Sequence, residues 1–283
     1  FVGAVGIAVR TIAPYIKNKL VDPAVLSVDE GGNFVIPLLS GHIGGANGFA
    51  KALAKVIKAT PVVTTATDVN KLFAVDEWAA RNNMIINSMK AAKDFAAALV
   101  DGQEVGLFTD YPIISALPRQ IVLKDKGVTG LAITKNRNVK PFDVTVQLWP
   151  RNIYLGIGCR RGTTLESIET LVLPKLKELG IDLRTIVGVA SVDLKKDEAG
   201  LLDFVAKYDW EISFFTAEEL QNATGEFSSS DFVKSVVGVS NVCERSAVLA
   251  ANNGSIISSK CSLNGVTLAV AEADIVLDFE KLF

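Results

Sequence analysis

The sequence predicts a multidomain α/β protein in which two Rossmann-like, three-layer α/β units flank a small α+β middle domain. The chain has 283 residues, which is too many for one small core. Hydrophobic residues make up 49% of it. Short runs rich in Val, Ile and Leu alternate with segments whose apolar residues recur at helical spacing. Continuous apolar runs of this kind are typical of parallel strands that helices cover on both faces.

Charge and cysteine content exclude several classes of function. The balance of 29 basic against 31 acidic residues gives no general attraction for nucleic acid. No apolar run approaches the roughly 20 residues that a membrane helix requires, and no export signal is visible. Cys159, Cys243 and Cys261 accompany a single histidine, which cannot complete a familiar Cys/His metal site. We therefore expect a soluble cytoplasmic protein with reduced thiols and no metal site.

The first predicted domain covers residues 1–71. A helix carrying Ile12 and Leu20 precedes strands at Ala24–Val28 and Phe34–Leu39. The two glycines in residues 29–32 between these strands are typical of a hairpin. A helix with apolar residues at 49, 53, 56 and 57 follows, and then a strand at 61–63. Residues 1–7 read as a strand end or the edge of a turn, so we expect further residues to precede them.

The turn at residues 40–45 holds the single histidine and joins a strand end to a helix start. Gly41, Gly44 and Gly45 let backbone N–H groups approach a ligand, and the helix dipole favours negative charge there. His42 is therefore the candidate for proton chemistry near neutral pH. The alternative is that the glycines serve only a tight turn and that His42 is a hydrogen-bonded structural residue.

A polar segment follows the next predicted strand, and it contains Thr64, Thr65, Thr67 and Asp68. Ligands bind at the carboxyl ends of strands in open α/β sheets, so these residues form a candidate second wall of the site. The alternative is a Ser/Thr turn in which Asp68 caps a helix.

The middle domain, residues 72–150, shows no catalytic cluster. Helices are predicted near 75–81 and 91–99, and strands at 104–108, 120–123 and 144–148. We expect this domain to cover or space the outer two. The sequence at 149–152 combines a proline with polar residues and marks the next boundary.

The third predicted domain covers residues 151–283 and begins with a strand, a loop at 159–162 and a helix at 163–179. Thr163 and Glu166 have the spacing of a capping box. The loop places two arginines beside a helix N-terminus, which is typical of a carboxylate or phosphate site. Lys195 lies in a polar turn after a predicted strand at 186–190 and is a candidate further contact of this loop. The candidate binding residues of the loop are Gly158, Arg160, Arg161 and Gly162. The glycine spacing is one residue longer than the dinucleotide fingerprint, which argues against nucleotide binding, and this stays open as the weaker alternative.

Two further patterns lie near the end of this domain. A strand-like segment at 239–244 leads into a helix at 245–251, and Asn264-Gly265 predicts a closing hairpin.

A set of motifs resembles the cobalt-precorrin-5A hydrolases of anaerobic cobalamin biosynthesis, the CbiG type. The resemblance depends on their order along the chain and covers all but the middle segment, which is only weakly similar. The motifs lie at residues 6–14, 22–25, 28–30, 40–47, 64–68, 156–162, 190–198 and 242–244. The resemblance implies that the first domain lacks its first strand and helix.

The resemblance implies a hydrolase that opens the ring A δ-lactone of cobalt-precorrin-5A and releases acetaldehyde to give cobalt-precorrin-5B. Cobalt is then carried by the substrate, and no cofactor is expected. This chemistry needs a proton carrier, for which we expect His42, and donors for an oxyanion, for which we expect Ser40 and the N–H groups of Gly44 and Gly45. Thr65 and Asp68, with Thr64, would orient water or substrate. The other expected substrate contacts are Arg10, Gly41, Asn47, Thr67, Gly158, Arg160, Arg161, Gly162 and Lys195.

Two rival functions stay open at this point. A tetrapyrrole carrier would bind the same ligand without chemistry, and a nucleotide-dependent oxidoreductase would use the loop at 156–162. The expected partner is the cobalt-containing tetrapyrrole, without nucleic acid or membrane. Transient contact with neighbouring pathway enzymes and self-association are left open.

Overall fold

A computed structural model describes residues 1–18, 21–42, 44–70, 72–227 and 241–280. The chain forms two compact units. The first unit comprises Phe1–Trp149 together with Leu277–Phe283, and the second comprises Pro150–Val276. Three sheets with helices packed against them in the described residues confirm the α/β class. The division of the first unit at residue 71 stays a prediction.

The first sheet has the order β1-β2-β3. It positions the turn at residues 40–45, which we name the histidine turn. Strands β1 and β2 form the predicted antiparallel hairpin, in which Gly32 has a φ of 68°. Strand β3 runs parallel to β2, so the segments that follow β2 and β3 leave the sheet at the same edge. The elements are α1 (Val5–Ile12), β1 (Val25–Val28), β2 (Phe34–Leu39), α2 (Ala46–Ile57), β3 (Thr60–Pro61) and α3 (Ala66–Val69).

Two details of this region differ from the prediction. Helix α1 ends at Ile12 and gives way to a 3-10 turn over Ala13–Tyr15, since the proline at 14 cannot continue the helix. Helix α2 buries its small residues, among them Ala50 and Ala54, and leaves Phe49 56% exposed. The alanines let the α2 backbone lie close to the sheet, so the larger apolar side chains face outward.

The second sheet belongs to the same unit and has the order β4-β8-β7-β5-β6. The pairs β5–β6, β5–β7 and β7–β8 are parallel. The predicted helices and strands are present, and β4 and β7 were not predicted. The ring of Phe142 lies against Gly106 and Gly130, where any side chain would collide with it. The elements are α4 (Val75–Arg81), β4 (Met84–Ile86), α5 (Met89–Val100), β5 (Val105–Thr109), β6 (Ile121–Leu123), β7 (Gly127–Ile133) and β8 (Phe142–Pro150).

The second unit contains a sheet of order β11-β10-β9-β13-β12. Strands β9, β10 and β11 are parallel, and β13 joins β9 antiparallel. The predicted hairpin turn is present, with φ values of 49° at Asn264 and 85° at Gly265. The elements are β9 (Ile153–Cys159), α6 (Leu165–Glu178), β10 (Ile186–Val192), α7 (Ala199–Tyr208), β11 (Glu211–Phe215), α8 (Ala217–Gln221), α9 (Val242–Ala250), β12 (Ser255–Leu263) and β13 (Val266–Glu272).

The predicted capping box of α6 is wrong by one residue. The helix cap is Thr164, whose hydroxyl accepts from the Ser167 N–H, while the Thr163 hydroxyl donates to the Arg160 carbonyl. Of the strand-like segment predicted at 239–244, residues 239 and 240 lie outside the described residues, and the rest of the prediction is wrong, because Asn241 caps α9 and the helix begins at Val242. Within the described part of the chain, no helix is both long and apolar enough to cross a membrane.

Candidate active site

The histidine turn is a compact structure that explains two of its glycines. The Ala46 N–H donates to the Ser40 carbonyl at 3.1 Å, and the Gly45 N–H donates to the His42 carbonyl at 2.9 Å. A Cβ at Gly44 would lie 2.4 Å from the Ser40 Cβ, and one at Gly41 would lie 2.8 Å from Oδ1 of Asn47. The glycines therefore bring the start of α2 back against the end of β2.

His42 lies between two carboxylates. Its Nε2 is 3.2 Å from Oδ2 of Asp68, and its Nδ1 is 3.3 Å from Oδ1 of Asp76. Asp68 belongs to α3, and Asp76 belongs to the first turn of α4. The three side chains are mostly buried, with exposed fractions of 18%, 10% and 19%. We name His42, Asp68 and Asp76 the histidine clamp.

Asp68 is the fixed anion of the clamp. Its Oδ2 accepts from Thr65 Oγ1 at 2.6 Å and from Asn47 Nδ2 at 2.9 Å, and its Oδ1 accepts from Lys51 Nζ at 2.6 Å. Burial opposes ionisation, but the hydrogen bonds from Lys51 and Thr65 outweigh it and lower the pKa of Asp68 to about 2. Asp68 therefore holds His42 in place and is too weak a base to accept a proton near neutral pH.

The clamp favours the charged form of the imidazole. The hydrogen bond with Asp76 raises the pKa of His42 above 6.5, against the opposing effect of burial. Asp76 responds in the complementary direction. Burial raises its pKa, but the hydrogen bond and charge of His42 lower it below 3.8 overall. Neighbouring opposite charges therefore stabilise an imidazolium between two carboxylates.

One set of side chains has metal-ligand spacing. His42, Asp68 and Glu77 each present a ligand atom, and these atoms lie within 4.8 Å of one another. Two of the three are already paired with cations, since Asp68 contacts Lys51 and Glu77 contacts Arg81. This charge balance favours an ion-pair cluster over a cation site.

A cavity of about 150 Å³ opens beside the clamp, and His42 and Asp76 lie on its wall. Lys93 lies at the same wall, and the rest is apolar and mostly small. The volume corresponds to about five water molecules, so it accommodates a side arm or a small fragment but not a macrocycle. The apolar lining residues are Ala74, Val75, Met89, Ala92 and Ala96.

Of the other candidate residues of the first unit, some contact the clamp and others are used within the histidine turn. Asn47 and Thr65 contact each other and Asp68. The Ser40 hydroxyl donates to the Asp22 carbonyl at 2.7 Å, so it is engaged in the turn. Among the described residues, the Gly44 N–H has no hydrogen-bond partner, whereas that of Gly45 is used within the turn.

Two further candidates do not reach the clamp. Thr64 is exposed, and Arg10 is exposed on α1 with no ion pair to any described residue. The side chain of Thr67 lies outside the described part of the structure.

The candidate anion loop belongs to the second unit, and an internal carboxylate occupies it. Glu198, whose side chain is 4% exposed, accepts the Gly162 N–H at 2.6 Å and lies 3.2 Å from Lys195 Nζ. Arg161 pairs with Asp197 at 2.9 Å. Arg160 is exposed and forms no ion pair with a described residue.

Packing against protein groups explains the other glycines of this loop region. A Cβ at Gly156 would lie 1.8 Å from the carbonyl oxygen of Cys243 in α9, and one at Gly158 would lie 2.6 Å from Oγ1 of Thr267. The presence of glycine at both positions is therefore explained by packing, without a bound nucleotide.

Sequence reasoning missed Lys51, Asp76, Glu77 and Lys93. Lys51 follows Asn47 by one helical turn and therefore shares its face, which was a usable signal. Asp76 and Glu77 are adjacent acids at the start of a correctly predicted helix, a pattern that usually marks only a helix N-terminus.

Comparison with known proteins places the chain in a family. Three family profiles match it: "Cobalamin synthesis G N-terminal" at residues 1–68, "Cobalamin biosynthesis central region" at 73–150 and "Cobalamin synthesis G C-terminus" at 153–271. The cobalt-precorrin-5A hydrolase of Salmonella typhimurium is 35% identical over 286 residues, covering 96% of this chain and 81% of that protein. The protein of the same name from Priestia megaterium is 32% identical, covering 95% and 76%.

A solved structure is also similar. It is CobE, a protein from the cobalamin (vitamin B12) biosynthetic pathway, with 28% identity and a TM-score of 0.41 over 43% of this chain and 89% of that chain. The assignment depends on the sequence matches, which extend over all three regions and nearly the whole chain. The chain therefore belongs to the cobalamin synthesis G family, the family of the cobalt-precorrin-5A hydrolases.

Proposed function

We propose that this protein hydrolyses the ring A δ-lactone of cobalt-precorrin-5A and releases acetaldehyde, giving cobalt-precorrin-5B, and that His42 moves the protons. The names of two relatives that match nearly the whole chain support the reaction. The observation that carries the assignment of His42 is the histidine clamp beside a small cavity. His42 is the single histidine of the chain.

The reaction has two stages with different proton requirements. Water first attacks the acyl carbon of the lactone, the acyl carbon–oxygen bond breaks, and the leaving oxygen must gain a proton. The resulting alcohol then loses its proton while the carbon–carbon bond to the macrocycle breaks. Acetaldehyde departs, and the electron pair stays on the conjugated ring until a proton from solvent adds there. One group that first donates and then accepts a proton serves both stages.

The cavity limits what part of the substrate reaches His42. Its volume of about 150 Å³ suits the methyl-bearing carbons of the lactone, and its apolar wall suits a methyl group. The macrocycle itself would stay outside. The N–H of Gly44 is the better of the two predicted oxyanion donors, since that of Gly45 is already used by the His42 carbonyl.

The proposal needs no resident cofactor, because the substrate supplies the cobalt. We also propose that the protein works in the cytoplasm on a small molecule and that it binds neither nucleic acid nor a membrane. In the second unit, Arg160 is the cation best suited to bind a peripheral carboxylate of the ring, because Arg161 and Lys195 are already paired with carboxylates.

Acetaldehyde release tests the proposal. The wild-type protein is incubated with cobalt-precorrin-5A, and the acetaldehyde is measured with a coupled NADH-dependent alcohol dehydrogenase. His42→Gln preserves approximate size but removes the titratable ring, and it should lower kcat by about 100-fold or more. The matched control is Lys124→Ala, which removes an exposed partner of Glu104 away from the clamp and should leave the rate unchanged.

The rival functions give different results in the same experiment. A tetrapyrrole carrier would change the absorbance of the substrate on binding yet release no acetaldehyde, which would refute the proposal. Saturable binding of NAD or NADP in calorimetry would instead favour an oxidoreductase. A His42→Gln enzyme with the wild-type rate would remove His42 from the mechanism while leaving the reaction assigned.

A further inference from the structure

We propose that Asp76 is a positioning residue which, with Asp68, holds His42 as an imidazolium hydrogen-bonded at both ring nitrogens, so that His42 enters the reaction as a proton donor. Asp76 lies in the central region of the chain, outside every motif that pointed to the site. The role of His42 as a proton donor in the reaction rests on the proposed function, whereas the protonation state of the His42 ring does not.

The geometry of the clamp supports two N–H donors on the ring. Nε2 faces a carboxylate oxygen at 3.2 Å, and Nδ1 faces another at 3.3 Å. A neutral imidazole carries one N–H and would leave one carboxylate facing a lone pair. The imidazolium donates at both nitrogens and satisfies both contacts. The clamp therefore selects the protonated ring.

The two sides of the ring are not equivalent. Oδ2 of Asp68 also accepts from Thr65 and Asn47, which fixes it in place. Asp76 is supported by the Glu77 N–H at 3.0 Å and lies on the cavity wall. A substrate oxygen entering the cavity therefore meets the Nδ1 side of the ring. Nδ1 is the atom that donates the proton: the entering oxygen shares its N–H with Asp76, which holds the ring in the orientation for this transfer.

The charges around the ring agree with this state. Negative charge comes from Asp68 of α3 and from Asp76 and Glu77 of α4. Positive charge comes from Lys51 of α2 and Lys93 of α5. Lys51 is already paired with Oδ1 of Asp68, and Lys93 is exposed at the cavity wall. The closest charges to the imidazole are therefore the two carboxylates, and these raise the pKa of His42.

This state sets the order of the proton transfers. When the lactone carbon–oxygen bond breaks, its electron pair goes to the leaving oxygen, which takes the proton from Nδ1. The attacking water loses both of its protons to solvent, one as it adds to the acyl carbon and one as the product acid ionises. His42 is now neutral and accepts the hydroxyl proton as the carbon–carbon bond breaks, which restores the imidazolium. The ring carbon takes its proton from solvent, so all atoms and charges balance.

NMR of the single histidine gives a test that is independent of activity. In untagged ¹⁵N-labelled protein, the imidazole nitrogen shifts should show two protonated nitrogens near pH 7. Asp76→Asn should move the titration midpoint of His42 to lower pH, because the carboxylate that raises its pKa is gone. Glu77→Gln is the matched control, since it removes the neighbouring charge but not the contact at Nδ1, and its shift should be clearly smaller.

The catalytic arm uses the pH dependence of acetaldehyde release. Asp76→Asn should lower kcat by about tenfold, the size expected for a lost charged hydrogen bond, and move the high-pH limb of the profile to lower pH. Asp76→Glu should restore the position of the limb in part. A purely structural role would lower the rate without moving the limb.

The failures of the two proposals are distinguishable. A neutral His42 in the wild-type protein at pH 7, or an unchanged titration in Asp76→Asn, would overturn the role of Asp76 whatever the reaction. A protein with the expected titrations that releases no acetaldehyde would overturn the proposed function alone.

Discussion

Replacing Asp68 by asparagine should destabilise the first unit by an amount that depends on pH. The pKa of Asp68 falls from 3.8 to about 2 in the folded protein, and its side chain is only 10% exposed. A shift of this size corresponds to about 2 kcal/mol of folding free energy at pH 7. Because the folded pKa is the lower one, this stability is present above pH 3.8 and is lost as the pH falls through about 2. At pH 3 about 1 kcal/mol should remain.

The assay is urea unfolding of wild type and Asp68→Asn at pH 7 and pH 3, followed through the NMR signal of His42. This signal reports the first unit alone, because the chain has a single histidine. Asp94→Asn removes an exposed carboxylate from the same unit and should change the midpoint little. A difference between wild type and Asp68→Asn that is equally large at both pH values would refute the electrostatic origin of the stabilisation.

Two other predictions concern packing and metal dependence. Gly156→Ala should destabilise the second unit by about 3 kcal/mol or more, because its Cβ would lie 1.8 Å from a backbone oxygen, and thermal unfolding measures this. Gly6→Ala, with open space at its Cβ in α1, should be neutral or stabilising, and equal effects of the two would contradict the packing argument. Treatment of the enzyme with a chelator should leave acetaldehyde release unchanged, since Lys51 already pairs with Asp68 and Arg81 with Glu77. Recovery of lost activity on adding a divalent cation would instead make His42, Asp68 and Glu77 a metal site.

The part of the site that sequence reasoning predicted is the part that one sheet edge brings together. The histidine turn follows β2, and Thr65 and Asp68 follow β3, which is parallel to β2. The prediction that the two segments share one sheet edge is therefore confirmed, and that they bind a ligand there stays a prediction. The pattern of strand ends gave no information on Asp76, because a helix of the central region approaches that edge through tertiary packing, which no local pattern records.

The buried face of α2 shows a second limit of pattern reasoning. Large apolar residues at helical spacing predicted the helix correctly, but they suggested the wrong face, since Phe49 and Val56 are exposed. The contact with the sheet is made by alanines, whose weak hydrophobic signal hides a close approach of backbones. The same face carries Asn47 into the site, where it is 1% exposed.

The physical difference between the two candidate sites favours the histidine clamp as the place of the proposed chemistry. In the loop of the second unit, Glu198 is buried and already binds the Gly162 N–H and Lys195, so a substrate anion would have to displace an internal carboxylate. At the histidine clamp, the internal carboxylates contact the ring nitrogens and leave the cavity beside the ring open. They set the charge of a ring that borders a cavity. An ionisable group held in a defined state beside open space is what proton transfer needs, whereas a saturated anion loop provides only structure. We therefore propose that proton transfer takes place in the first unit.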